Sequence, residues 1–305
     1  MILSSKYYDN YDDWLRVGFA LHNTDLRLFL TWLSFSAQSE KFSFDNINSH
    51  WNIWQNMRDE GVTERSIMYW ARECSPVEYE KIREGTIDYF CEECITHKTD
   101  HSTALVLYNM YKGQYVCASI KHKTWFEFEN HKWVEIDSGT TLREKISRGL
   151  MKTFSVKMGF IKDAFAKEAD STTTSVEQRA KQNKISIIMS LITKMGNVDG
   201  KNRIMREAQE LFYDRNFMDK LDANPYLLHF KNGVFDFNER VFRNGRSDDY
   251  ISLSTGHEYV AFNAKDDEHV QYAKQINLFF EHEMLIKNNV PICGNIRHLR
   301  RLEQM

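Results

Sequence analysis

The sequence predicts an α+β protein: an all-helical N-terminal module followed by a mixed domain of small antiparallel sheets packed with helices. Three observations carry that expectation. Between Tyr7 and Gly85 apolar residues recur at helical spacing, and five of the chain's seven tryptophans (Trp14, Trp32, Trp51, Trp54 and Trp70) fall there. From Tyr115 to Ile136 the pattern switches to short alternating runs separated by polar turns. From Asn224 to Phe242 a second strand-and-turn pattern is built around Asn224-Pro225 and Asn232-Gly233.

In chain order, Trp14, Val17, Gly18 and Leu21 share one helical face, and Leu26, Phe29, Leu30 and Leu33 make a second. Asp12 reads as a helix cap, because a short acidic side chain can accept an orphan amide hydrogen. Ser75 as cap, Pro76 in the first turn, Glu78 closing a capping box and Gly85 at the exit delimit a further helix. Gly85 to His97 is helical again, and Ala104, Leu105, Leu107, Tyr108 and Tyr111 mark the next helix. Tyr115–Ile120, Trp125–Phe128 and Trp133–Ile136 then form a three-stranded meander. Thr141 and Glu144 cap a helix that continues through Ile146, Leu150 and Phe154. Ser171–Ser175 reads as a polar loop, Ile185, Ile188, Ile192 and Met195 as an amphipathic stripe, and Asp199–Tyr213 as another helix. Leu227–Phe230 and Val234–Phe237 pair across Asn232-Gly233, and Val241-Phe242 adds a third strand, with one aromatic face buried.

Composition bounds the function. A chain of 305 residues has room for two domains and a sizeable core. A net charge of −3 excludes a histone-like, uniformly basic surface but permits a local basic stripe. No apolar run approaches the roughly 18–20 residues of a membrane span, and the N-terminus has no signal-peptide core. Five cysteines without a secretion signal point to a reducing compartment.

Several stretches carry candidate chemistry. Cys91, Cys94, His97 and His101 are zinc-ligand types, but all four crowd into eleven residues of helical text with no glycine to turn a knuckle. Core cysteines are the simpler reading. Asp12-Asp13, Asp248-Asp249 and Asp266-Asp267 are carboxylate pairs. Helical neighbours diverge by about 100°, and no third ligand stands nearby in sequence. Gly196 to Asn202 imitates a phosphate loop, yet has three residues between its glycines instead of four, and Asn202 where a hydroxyl should hold Mg²⁺. Neither a metal nor a cofactor is therefore expected. From Lys112 to Lys157 the chain carries nine Lys/Arg against five Asp/Glu. Lys121, Lys123 and Lys132 beside Trp125 and Trp133 are the candidate nucleic-acid contacts, because cations track phosphate and aromatics can stack bases. Against that stands the plainer reading, solvated lysines and core tryptophans.

The run Leu221, Asp222, Asn224, Pro225, Leu227, Leu228, Phe230, Asn232, Gly233, Val234, Asp236 and Phe237, followed by Asp249, Tyr250, Ile251 and Ser252, resembles a known family. The part it is similar to is the accessory domain that precedes the motor in primase–helicases of large DNA viruses, the poxvirus-type family related to phage and plasmid primases. The N-terminal text (Trp14, Val17, Gly18, Ala20, Leu21, Trp32, Trp51, Thr63, Ser66 and Trp70-Ala71) resembles the helical domain that follows their polymerising domain.

The resemblance implies three segments: residues 1–86 as the helical module, 87–262 as the accessory domain, and 263–305 as a linker toward an absent ATPase, as in a truncated or split gene product. It further implies a non-catalytic piece of a replication protein that links primase to helicase. Implied partners are single-stranded or forked DNA, a separately encoded superfamily-three ATPase or primase subunit, and further copies of the chain, in a viral factory of the host cytoplasm or in the nucleus. Two other classes compete. One is an active ATP-dependent helicase component of a split gene, which tight Mg²⁺ or ATP binding would favour. The other is a zinc-stabilised nucleic-acid-binding module, which unfolding by a chelator would favour.

Overall fold

The computed structural model describes residues 2–57, 61–167 and 175–287. It divides into two compact units, Met1–Glu258 and Tyr259–Met305.

The first unit begins with helices α1 (Lys6–Asp9), α2 (Tyr11–Thr24), α3 (Phe29–Ser36), α4 (Ile47–Gln55) and α5 (Glu64–Cys74). Their core is aromatic: Trp14, Trp32, Trp54 and Trp70 are buried with Val17, Ala20 and Phe35. Trp14 and Trp32 stack with centroids 4.6 Å apart, and the Trp14 indole donates to Ser36 Oγ at 2.7 Å. That bond satisfies an N–H that burial would otherwise strand. Trp51 departs from the expected core, being 42% exposed.

Two further expectations fail here. Asn10, not Asp12, caps α2, its side chain accepting from Asp12 N and Asp13 N. Leu26 and Leu30 are exposed, because a tight 3₁₀ turn over Leu26–Leu28 shifts the phase before α3 and turns Trp32 and Phe35 inward instead.

Helix α6 (Pro76–His97) runs unbroken through Gly85, which meets nothing within 4 Å, so the expected boundary at residue 86 falls inside a helix. Ser75 makes no capping bond there; its hydroxyl donates to Ile2 O. Helix α7 (Asp100–Tyr111) starts from a Thr99/Ser102 capping box. Strands β1 (Tyr115–Ser119), β2 (Thr124–Glu129) and β3 (Lys132–Asp137) form an antiparallel sheet in that order.

Helix α8 (Thr140–Lys145) passes through a π turn at Ile146–Leu150 into α9 (Met151–Lys167). Its cap is Gly139, in the left-handed region at φ 69°, while the Thr141 hydroxyl is drawn away to Glu127 Oε2 at 2.6 Å. Helices α10 (Ser175–Gly196) and α11 (Val198–Leu211) complete the layer over the sheet. Of the expected polar loop, Ser175 opens α10 and the remainder lies outside the described residues. Ile188, Leu191, Met195, Ile204 and Phe212 pack with Trp125, Tyr115 and Cys117 in the largest core.

The other face of this sheet is also buried. Val116, Phe126 and Trp133 pack against Phe217, from helix α12 (Phe217–Lys220), and Tyr250. The second sheet consists of β4 (Leu227–Phe230), β5 (Gly233–Asp236) and β6 (Val241–Arg243), again antiparallel and in order. Its register pairs Phe230 with Gly233, so the turn residues are Lys231 and Asn232, and neither takes positive φ. Gly233 serves close approach: a Cβ there would sit 2.7 Å from both Arg243 O and the Phe242 ring.

The faces of this sheet are the reverse of the expectation. His229, Val234 and Asp236 are buried, whereas Phe237 is 51% exposed and Phe230, Phe235 and Phe242 are half-buried.

In the second unit, Asp266 caps helix α13 (Asp267–Lys287), accepting from Glu268 N and His269 N. Tyr272, Ile276 and Leu278 are exposed on it. The expected text from Pro291 onward lies outside the described residues. No helix among the described residues is long and apolar enough to cross a membrane.

Candidate nucleic-acid interface

The expected site begins at the β1–β2 turn. Lys121 and Lys123 are exposed there, the turn being closed by Lys123 N to Ile120 O and held by His122 N donating to Ser119 Oγ at 3.2 Å. Lys123 takes φ 52°, which turns its side chain out of the strand direction. Neither ammonium group is paired among the described residues.

The other three residues do not join them. Trp125 is fully buried on the helix-packed face, tilted against Phe212 at 5.8 Å. Trp133 is 1% exposed on the opposite face, its indole donating to Ser247 O at 2.8 Å. Rings enclosed in two separate cores cannot stack bases, so the stacking role expected of both tryptophans is corrected to a packing role. Lys132 opens β3, paired in register with Glu129 at the far end of β2, while Lys123 directly precedes Thr124 at the near end. Six strand residues separate the two ends, a distance on the order of 20 Å. The sequence neighbours therefore split into a two-lysine turn and one distant, half-buried lysine.

The zinc-type residues diverge as well. Cys91 and Cys94 are buried in the main core, and burial pushes the Cys91 thiol up to about 12, away from the thiolate a metal needs. His97 faces Glu93 at 3.3 Å and His101 faces Glu207 at 3.1 Å, both exposed. The phosphate-loop imitation joins two helices instead of a strand and a helix. Gly200 is a packing glycine there, since a Cβ would meet Lys194 O at 2.0 Å.

The acidic pair Asp248-Asp249 is the feature whose surroundings the sequence did not disclose. A third carboxylate does stand close by: the Arg243 guanidinium binds both oxygens of Asp249 at 2.8 Å and Asp236 Oδ2 at 3.1 Å. A cation already occupies the centre: burial by itself disfavours its charge, but the hydrogen bonds and charges of Asp249 and Asp236 outweigh that and hold the guanidinium firmly protonated. Arg246 N donates to Asp249 Oδ2 at 2.7 Å. Asp222, at φ 56°, accepts from Ser252 N and Leu253 N, and its own N–H donates to Tyr250 O. These positions of the recognised motif are structural.

Asp248 faces the helical module, where Ser66 Oγ donates to its Oδ2. Arg65, one residue earlier on α5, lies over the rings of Trp133 at 5.6 Å and Tyr250 at 5.9 Å, and donates to the Tyr250 hydroxyl at 3.3 Å. Arg246 answers from the sheet side, 4.6 Å from the Tyr69 ring centroid. Sequence reasoning missed Arg65 and Arg246. The available signal was only that Thr63, Ser66 and the Asp-Tyr-Ile-Ser text were both matched to the same family.

Comparison with known proteins gives two family matches in tandem. Residues 104–281, more than half of the chain, match the model described as D5 N terminal like. Residues 1–71 match Primase C terminal 2. Among individual relatives, the protein provisionally named helicase L207/L206 of Acanthamoeba polyphaga mimivirus is 34% identical over 269 residues, covering 88% of this chain and 27% of the relative. One provisionally named helicase 022R of Frog virus 3 is 28% identical, over 86% of this chain and 29% of its own length. One provisionally named primase C962R of African swine fever virus is 27% identical, over 76% of this chain and 26% of its own length. The chain thus spans between a quarter and a third of the length of these relatives.

Proposed function

This chain belongs to the D5 N-terminal-like family, in the replication-related primase–helicase group of large DNA viruses, and on that premise we propose that it is the non-catalytic region that couples a primase to a helicase motor and touches DNA. The observation that carries the reading is the tandem order of the two matched segments and their joining by one continuous helix, α6. That helix is anchored in the main core through Cys91, Cys94 and Ile95, so it ties the first matched segment to the body of the second.

DNA contact rests on the Lys121/Lys123 turn, which offers two unpaired cations on a rigid hairpin. Its partner would be single-stranded or forked DNA, bound mainly through phosphates, with sequence-independent affinity that falls as salt rises. The superfamily-three ATPase or primase acting beside it, and other copies of the chain, are its protein partners in this proposal.

The test is fluorescence anisotropy with single-stranded and forked DNA across a salt series, with ATP hydrolysis assayed in parallel. Salt-dependent binding without hydrolysis is the expected result. Lys121→Glu with Lys123→Glu should weaken binding to every sequence alike and flatten the salt dependence by about one counterion per lysine. Binding that the double variant leaves unchanged would remove this turn from the interface. Hydrolysis that disappears with Lys201→Ala would instead establish an active ATPase.

A further inference from the structure

The joint between the helical module and the rest of the first unit is made without a shared apolar core. Among the described residues three apolar cores are found, and none of them crosses it: one is made of residues up to Trp70 alone, and the other two contain no residue of α1–α5. What crosses is polar. Arg65 reaches Trp133 and Tyr250, Ser66 reaches Asp248, Tyr69 receives Arg246, and Arg16 meets Glu239 at 3.2 Å on the rim.

The joint is also incompletely satisfied and incompletely filled. Asp248 Oδ1 and Arg246 Nε are enclosed without a hydrogen-bond partner among the described residues. A cavity of about 200 Å³ opens beside it, lined by Glu64, Arg65 and Met68 from α5 and by Tyr108, Lys112 and Asp214 from the other side. Contacts of this composition belong to interfaces that part and re-form, not to a shared core. The covalent connection would allow it, since α5 ends at Cys74, α6 starts at Pro76, and Ser75 between them is non-helical.

We propose that this joint is a releasable latch, in which Arg65 holds the helical module against the sheets and the enclosed Asp248 carboxylate sets how firmly it holds. This rests on the family reading only for the identity of the two parts, not for the mechanism. Burial, and next Asp249 beside it, push the Asp248 carboxyl up to about 6, against the lowering influence of Ser66, Arg65 and Thr63. Released into water it would return to an ordinary carboxyl value near 3.8.

The sign follows. Between about pH 4 and 6 the docked form binds more protons than the released form, so docking is firmest in acid and loosens as pH rises through that window. Above it the enclosed charge is a constant penalty, worth a factor of about ten to a hundred in the docked-to-released ratio. The charged and titratable groups facing Asp248 are Arg65 on α5 and Asp249 and Tyr250 on its own segment. Behind that segment, Gly245 N donates to His131 Nδ1 at 3.2 Å.

The test is hydrogen exchange of the full chain at residues 63–72 and 246–251, corrected for intrinsic rates, at about pH 5, 6 and 7.5. In the native chain, protection should fall at least about fivefold from pH 5 to 7.5. Asp248→Asn keeps the acceptor for Ser66 and removes the charge, so it should hold the acid-level protection throughout. Should that variant not fold, Ser66→Ala, which strips the carboxylate of its donor, should lower protection most at pH 7.5. Circular dichroism at each pH separates release from unfolding. Protection that is flat with pH in the native chain, or an Asp248→Asn chain that tracks the native one, would overturn the latch. Neither result depends on whether DNA binds.

Discussion

The two sheets have the same strand number and the same order, and they bury opposite things. The first is apolar on both faces, with Tyr115, Cys117 and Trp125 against helices and Val116, Phe126 and Trp133 against Phe217 and Tyr250. The second turns His229, Asp236 and Arg243 toward the body and leaves its phenylalanines only half-buried on the opposite face, where Phe235 and Phe237 meet edge-on at 5.0 Å. Alternation along a strand separates two sets of side chains. It does not say which set faces inward, because a hydrogen-bonded ionic cluster can be buried as well as an aromatic one.

The largest expected effects would expose that difference. Arg243→Ala strands Asp236 and Asp249 in a buried site and should cost about 3–5 kcal/mol. Trp125→Ala should cost a similar amount, about 3–5 kcal/mol, for a different reason, an unfilled cavity. Urea unfolding followed by tryptophan fluorescence measures the first; circular dichroism serves the second, which removes a reporter. Conservative variants then distinguish the causes. Trp125→Phe should recover much of the loss, helped by removing an indole N–H that is buried without a partner. Arg243→Lys should recover little, since one ammonium cannot fork to two carboxylates. A fully rescued Lys variant would mean the second sheet needs only a charge.

A smaller effect concerns acid. His229 donates from Nε2 to Asn130 O at 3.0 Å, and its Nδ1 lies 2.8 Å from Ser254 Oγ, a hydroxyl able to donate to the neutral ring or accept from the charged one. Burial pushes its value down, with Lys132 and His131 acting in the same direction. A histidine depressed in the folded state contributes stability that is present above its unfolded value near 6.5 and is lost as pH falls below it. The second sheet should therefore weaken in mild acid, while the Asp248 joint tightens. His229→Gln should flatten the sheet's response and leave that of the joint. Hydrogen exchange at residues 227–236 against residues 63–72 reads the two separately, and parallel responses would refute the distinction.

Local signals read well where one rule decided the outcome. The meander at Tyr115–Asp137, the stripe from Ile185 to Met195 and the helix from Val198 follow from periodicity and turn residues alone. Errors arose where two rules competed. Asp12 and Asn10 are both good caps, and the chain used Asn10 because its extended φ of −89° and ψ of 129° places the side chain over two free amides. Thr141 could cap or bind Glu127, and the nearby carboxylate won. The candidate site failed for a topological reason: residues close in sequence along a hairpin separate to opposite ends of a strand, and alternate residues pass to opposite cores. The joint was invisible because Ser66 and Asp248 lie 182 positions apart, and nothing local to either reports the other.

The smallest expected effect tests the two ends of β2 against each other. Lys121 and Lys123 are solvated and unpaired, so Lys123→Ala should change stability by no more than about 0.5 kcal/mol. Lys132 is half-buried beside Glu129, an exposed-edge pair worth about 0.2–1 kcal/mol, so Lys132→Ala should cost slightly more in folding. DNA affinity should rank the other way, falling for Lys123→Ala and holding for Lys132→Ala, because the counterion contribution follows accessible charge. Anisotropy at low salt with both single variants decides it. Equal losses from the two ends would mean that DNA runs the length of the strand, and the binding surface would then have to be redrawn around the whole first sheet.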